Sequence, residues 1–134
     1  MKNKFIYIIY LCFFVSLPIN SNLEAKEIFN FNVSEIEITQ NGNIFKGYNG
    51  GEAFSDDGIS IKAETFEYNK ISKTLISSGN VQLNDENKNI IIKAKKILYF
   101  KNLEKVIAEG NVQLIDENRN IIVNGDQVSY FKNL

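Results

Sequence analysis

The sequence predicts an all-β domain built from tandem two-strand units, and three observations lead to that reading. First, the chain repeats itself. Residues 59–89 (ISIKAETFEYNKISKTLISSGNVQLNDENKN) align with residues 90–120 (IIIKAKKILYFKNLEKVIAEGNVQLIDENRN) at an offset of 31 residues without a gap, and 16 of 31 positions are identical. A third copy opens at Ile121 (IIVNGDQVSYFKNL) and matches the second at 7 of 14 positions. A period of this length marks a supersecondary unit that stacks on its neighbours to bury a shared core. Second, apolar residues alternate with period two inside each unit, as in strands with one buried face. Third, Asn and Asp residues cluster between the alternating stretches, where turns need their local hydrogen bonds and their tolerance of left-handed backbone.

In chain order, the first element is a leader. Lys2 and Lys4 precede a 13-residue apolar run, Phe5–Leu17, then Pro18 and a polar stretch up to Ala25. That is the layout of a secretory signal peptide, with an apolar core too short to span a bilayer as a helix. Residues 1–25 are therefore expected to be cleaved after Ala25, and 26–134 to form the exported domain. Cys12 lies inside the apolar run, and Tyr10 and Leu11 before it do not make a lipoprotein cleavage box. The remainder has no cysteine, histidine, tryptophan or proline. Its stability must come from packing and backbone pairing, not from disulfides. With 15 basic and 16 acidic residues interspersed along the chain, nothing provides the footprint of a nucleic-acid binder.

Next comes an irregular first unit. Phe29, Phe31 and Val33, then Ile36 and Ile38, alternate with a change of phase, and Phe45–Gly51 (FKGYNGG) is a degenerate glycine strand. Repeat arrays commonly begin with such a cap.

Each regular unit then supplies two strands of roughly eight to ten residues. In the first strand, Ile90, Ile92 and Ala94 share a face, and the parity slips by one at Lys95–Lys96 before Ile97 and Tyr99. The slip recurs at Ile59, Ile61, Ala63, then Phe66 and Tyr68, and at Ile121, Val123, Gly125, then Val128 and Tyr130. It predicts a bulge or corner inside the strand. In the second strand, Leu75, Ser77, Gly79, Val81 and Leu83 share a face, matched by Val106, Ala108, Gly110, Val112 and Leu114. The glycines mark a bend or a close approach by another group. Turns are expected at Asn69–Lys73, Lys101–Lys105, Asp85–Asn89 and Asp116–Asn120.

Catalysis finds no support, because no nucleophile sits in a recognisable acid–base constellation. No cofactor or metal is expected either. The acidic pairs Asp56–Asp57, Asp85–Glu86 and Asp116–Glu117 lack the spacing of a calcium loop and read as solvated turns. Lys93, Lys95 and Lys96 read as a solubilising surface cluster, and Tyr68, Tyr99 and Tyr130 as an aromatic ladder with a structural role.

The recurring pattern K-A-x-x-x-x-Y followed by small-x-G-N-V-Q-L resembles the OstA-like jelly-roll family of lipopolysaccharide transport. The residues that carry it are Ala63, Tyr68, Gly79, Asn80 and Val81, repeated as Ala94, Tyr99, Gly110, Asn111 and Val112, with Gly125 and Tyr130 opening a third match. The family includes the bridge protein LptA, the inner-membrane-anchored LptC and the amino-terminal domain of the outer-membrane translocon LptD. The leader, the FNFNVSEIEI opening and the irregular first unit look most like the start of LptD, and the interrupted third repeat suggests a fragment. The resemblance implies a half-open β jelly roll (a β-taco) whose two sheets hold lipid A acyl chains in an apolar groove. Its lining would be Ile61, Ala63, Phe66, Tyr68, Leu75, Val81, Leu83, Ile92, Ala94, Ile97, Tyr99, Val112, Leu114, Val123 and Val128. It also implies a periplasmic location and three partners: lipopolysaccharide, other jelly-roll proteins paired edge to edge, and an outer-membrane barrel in cis or in trans. From the residues alone, a sealed structural solenoid of adhesin type stays open as the alternative.

Overall fold

The computed structural model describes residues 27–134, and the signal-peptide reading of 1–25 lies outside the described residues. Eight strands follow in chain order: β1 (Phe29–Thr39), β2 (Ile44–Ser55), β3 (Ile59–Ala63), β4 (Thr65–Asn69), β5 (Thr74–Asp85), β6 (Ile90–Phe100), β7 (Lys105–Asp116) and β8 (Ile121–Phe131). β3 and β4 are the halves of one strand broken at Glu64, and a single 3₁₀ turn, Lys101–Leu103, joins β6 to β7. All pairings are antiparallel, in the order β1-β2-β3-β5-β6-β7-β8, with β4 pairing β2 and β5. The full strands run to 11 or 12 residues, longer than the alternation suggested. Pairing resumes beyond each irregularity, so the strands do not stop there.

Those irregularities line up across the sheet. Asn49–Gly50 stand opposite Ser34, Gly79–Asn80 opposite Glu64 and Lys95, and Gly110–Asn111 opposite Lys95 and Asp126. Each is a bulge with two residues against one, which bends and twists the pair locally. Both bulge residues lie in the left-handed region: Gly79 at φ 84° with Asn80 at 44°, and Gly110 at 83° with Asn111 at 47°. Glycine and asparagine are the residues that enter this region at least cost. A side chain at Gly79 would also strike Glu64, whose carboxylate accepts the Asn80 amide at 2.9 Å. At Gly110 a Cβ would strike the Lys95 stem. The parity slip in the sequence is therefore a crease, and the glycines serve it as bulge residues.

Along this crease the sheet folds so that its two halves face each other. One half holds Phe29–Val33 of β1 and the ends of the strands toward the β2–β3, β5–β6 and β7–β8 turns. The other holds β4 and the opposite ends. The inward positions close into one core: Ile61, Leu75, Leu83, Ile92, Ile97, Tyr99, Val106 and Ala108 are all 0% exposed. The phase predicted across Lys95 holds, with Ile90, Ile92, Ala94, Ile97 and Tyr99 buried.

Opposite the crease, tyrosines clasp the two halves together. The Tyr99 hydroxyl donates to Asp57 Oδ2 at 2.7 Å, and the Tyr130 hydroxyl to Asp85 Oδ2 at 2.9 Å. Asp85 is 1% exposed, and its other oxygen accepts the backbone N–H groups of Asn87 and Lys88. Asp57 also binds Lys101 at 2.7 Å and Lys132 at 2.6 Å, and accepts the Ser55 hydroxyl. These two aspartates correct the reading of the acidic pairs as solvated turns. The parity that places Leu83 inward places Asp85 inward as well, and a buried carboxylate persists only with donors of this kind. Burial pushes the Asp57 carboxyl up, but the bonds from Lys101, Lys132, Ser55 and Tyr99 outweigh it and hold the group well below the usual carboxylate range. Burial, then the bond to an aspartate, pushes the Tyr99 and Tyr130 hydroxyls well above the usual phenol range.

Two outcomes follow from crease and clasp. Gly110→Ala should cost about 1–3 kcal/mol in urea denaturation, because alanine is strained at positive φ. Gly125→Ala should be neutral or mildly stabilising, since the nearest atom to a Cβ there lies at 3.6 Å and the backbone is ordinary. Tyr130→Phe should cost about 1–3 kcal/mol by leaving buried Asp85 short of a donor. Tyr99→Phe should cost less, because Asp57 keeps Lys101, Lys132 and Ser55. The pH dependence has two edges. Asp57, with its pKa lowered, contributes stability above the unfolded carboxylate pKa, and this is lost as pH falls below about 4. Tyr99 and Tyr130, with theirs raised, contribute fully at neutral pH and lose that contribution as pH rises above about 10. Thermal melts from pH 2 to 11 should show a plateau between these edges, and the alkaline edge should weaken in the Tyr99→Phe, Tyr130→Phe double variant.

Candidate functional site

The inward faces of the folded sheet carry the residues named as a groove lining. Ile61, Ala63, Phe66, Tyr68, Leu75, Val81, Leu83, Ile92, Ala94, Ile97, Tyr99 and Val112 all lie in the core, none more than 8% exposed. Leu114 and Val128 are partly buried against that core, and Val123 on β8 is 43% exposed. The structure thus brings the first twelve together, and in the middle of the molecule they fill the space with each other. Ser77 adds one polar atom to this interior, a buried hydroxyl without a hydrogen-bond partner, where the next unit has Ala108.

The apolar interior reaches the surface at the two ends of the sheet. Beside β8, Ile90, Leu114, Tyr130 and Phe131 line a cavity of about 470 Å³ with Lys88, Asp116 and Arg119 at its rim. Beside β1, Phe29, Phe31, Ile38, Phe45 and Tyr68 line one of about 590 Å³, rimmed by Glu27, Lys70 and Lys73. Both volumes fall in the range of small-molecule sites, and the second is predominantly apolar with a few charged groups, as such sites tend to be.

At the β1 end, Phe29, Phe31 and Phe45 are residues that the sequence assigned only to an irregular cap. Phe31 stacks on Phe45 with ring centroids 4.1 Å apart. Phe29 reaches across the fold to meet Tyr68 at 4.9 Å and Tyr99 at 5.7 Å, both edge-on. Edge-on and offset ring pairs are the favourable geometries. The signal was present: Phe29 and Phe31 alternate in the same phase as the inward residues of later units. Ile36 falls outside the site, exposed on the far side of the β1 bulge. Burial raises the Tyr68 hydroxyl above its ordinary pKa, with the Lys101 charge opposing the rise and Glu27 adding to it.

Among the described residues, no group of three or more His, Cys, Asp or Glu side chains could hold a metal ion. No helix there is long and apolar enough to cross a membrane.

No protein-family model matches the chain, and no curated protein sequence matches it. Among solved structures the chain is similar to LptH of Pseudomonas aeruginosa, described as the LptA-homologous periplasmic component of the conserved lipopolysaccharide transport device. The TM-score is 0.65 at 13% sequence identity, over 76% of this chain and 74% of that one. At such identity the likeness is one of fold, and the creased antiparallel sheet described above is an LptA-like β jelly roll.

Proposed function

We propose that this chain is a non-catalytic lipopolysaccharide carrier of the periplasm, which shelters lipid A acyl chains between the two halves of its folded sheet. The observation that carries the reading is the geometry itself: two apolar half-sheets, hinged at a crease and clasped opposite it, with a cavity at each end of the described sheet. Each buried methylene of an acyl chain contributes about 0.8 kcal/mol. Several chains can therefore be held without a dedicated polar pocket. The fold shared with LptH, itself a transport component, supports this assignment.

The same reading gives the edges of the sheet a purpose. β8 pairs only with β7 among the described residues, and Ile121, Ile122 and Val123 are exposed on it. An unpaired edge invites strand addition, which is a liability unless a partner uses it. The partner we propose is another transport jelly roll. The leader, the FNFNVSEIEI opening and the irregular first unit support a place at the outer-membrane end of the route, ahead of a barrel.

The densely filled interior favours a second reading, a sealed structural repeat with no ligand. Photo-crosslinkers decide between them. Placed at Phe31, Leu114 and Val128, which are only partly buried and so tolerate replacement, they should label lipopolysaccharide or lipid A. At Gln82 and Gln113 on the outer face they should not. Equal labelling from both faces, or none from either, would reject the carrier.

A further inference from the structure

The clasp recurs with the repeat, and its first copy has no acid partner among the described residues. Tyr68, Tyr99 and Tyr130 occupy one position of the unit, and Lys70, Lys101 and Lys132 another. The backbone confirms the equivalence: the N–H groups of Lys70, Lys101 and Lys132 donate to the carbonyls of Asn43, Lys73 and Glu104 at 2.9, 3.1 and 2.9 Å. In the later copies each hydroxyl meets an aspartate, and both lysines bind Asp57. In the first copy the hydroxyl of Tyr68 and the ammonium groups of Lys70 and Lys73 have no acid bonded to them among the described residues. Glu27 lines the same cavity without bonding to any of them. Lys101, the other nearby cation, is already held by Asp56 and Asp57. One hydroxyl and two ammonium groups thus line the cavity beside β1, and no carboxylate among the described residues is bonded to them.

We propose that this cavity binds the phosphorylated head of a lipid, its phosphate accepting from Tyr68 and pairing with Lys70 and Lys73. The apolar part would lie against Phe29, Phe31, Ile38 and Phe45. A phosphate supplies several anionic acceptor oxygens to one hydroxyl and two ammonium groups, and such charge-assisted bonds are the strong ones. The adjoining space of about 590 Å³ gives the attached chain an apolar surface that a free phosphate would not use. This inference rests on the carrier reading and gives it an entry point and a polarity: the head is caught at the β1 end and the tail points between the half-sheets.

The test compares two single-chain amphiphiles below their micellar concentrations, dodecyl phosphate and dodecyl maltoside, by titration calorimetry on the protein. Lys70→Gln with Lys73→Gln should weaken dodecyl phosphate at least about tenfold, which is about 1.4 kcal/mol, and leave the maltoside unchanged. Tyr68→Phe should act in the same direction and more weakly, with circular dichroism verifying that the fold is kept. Added salt should weaken the phosphate ligand selectively. Unchanged phosphate affinity, or equal loss for both amphiphiles, would overturn the site. If the lysine variant binds both amphiphiles normally, the lipid-head proposal falls. Should that variant still crosslink lipid A at Leu114 and Val128, the carrier reading survives without this site. A wild-type protein that binds neither amphiphile and crosslinks no lipid would remove both.

Discussion

Everything in this molecule depends on a pair of left-handed residues in the middle of alternate strands. Gly79–Asn80 and Gly110–Asn111 are each opposed by a single residue on the neighbouring strand, and the irregular Asn49–Gly50 does the same for the first unit. Because the bulges fall in line, their bends add up to one crease instead of scattering as local twists. Without the crease, the period-two pattern would give one long flat sheet with an exposed apolar face. With it, that face closes on itself. The side chains of Glu64 and Lys95 lie across the glycines, so the bulge cannot accept a Cβ for reasons of space as well as of backbone conformation.

The clasp is the electrostatic counterpart of the crease. Placing carboxylates at the rim of an apolar cleft is costly unless donors converge on them. Here a tyrosine arrives from the opposite half-sheet each time. The two rims are thereby tied, Asp57 with its lysines and Asp85 with its backbone amides. For a carrier this divides the labour. The tyrosine–aspartate bonds keep the halves in register, and the cavities beside β1 and β8 are where the proposed guest would enter.

Much of this was legible in the sequence. Three copies of the same phase slip located the crease at Glu64, Lys95 and Asp126, and the Asx-rich segments between strands became turns where expected. Three features were misread or missed for identifiable reasons. Asp85 was taken for a solvated turn residue because its neighbours Glu86 and Asn87 are polar, although the count from Leu75 through Leu83 puts it on the inner face. Asp57 offered no such clue. It belongs to the β2–β3 turn, which lies outside the regular repeat and whose partner, Tyr99, is 42 residues away. The cavity at the β1 end was hidden for a related reason, since it needs Phe31, Phe45 and Tyr68 from three different strands. Alternation shows which face a residue takes, not how tightly opposing faces fill the space between them. The 0% exposure of the central residues was therefore not readable in advance.

The same reasoning accounts for a fold that is recognisable in three dimensions at 13% identity while no family model matches the sequence. What closes the sheet in this chain is sparse: a left-handed pair at mid-strand, small or branched apolar residues at alternate positions on both sides of it, and a donor and acceptor at opposing rims. Ile, Val and Leu exchange at the alternating positions with small volume changes that a core of this kind tolerates, as Leu75 and Val106 show between consecutive units. The outward positions face solvent and are almost unconstrained. A sheet closed by a few positional rules can therefore drift far in sequence and still keep its fold.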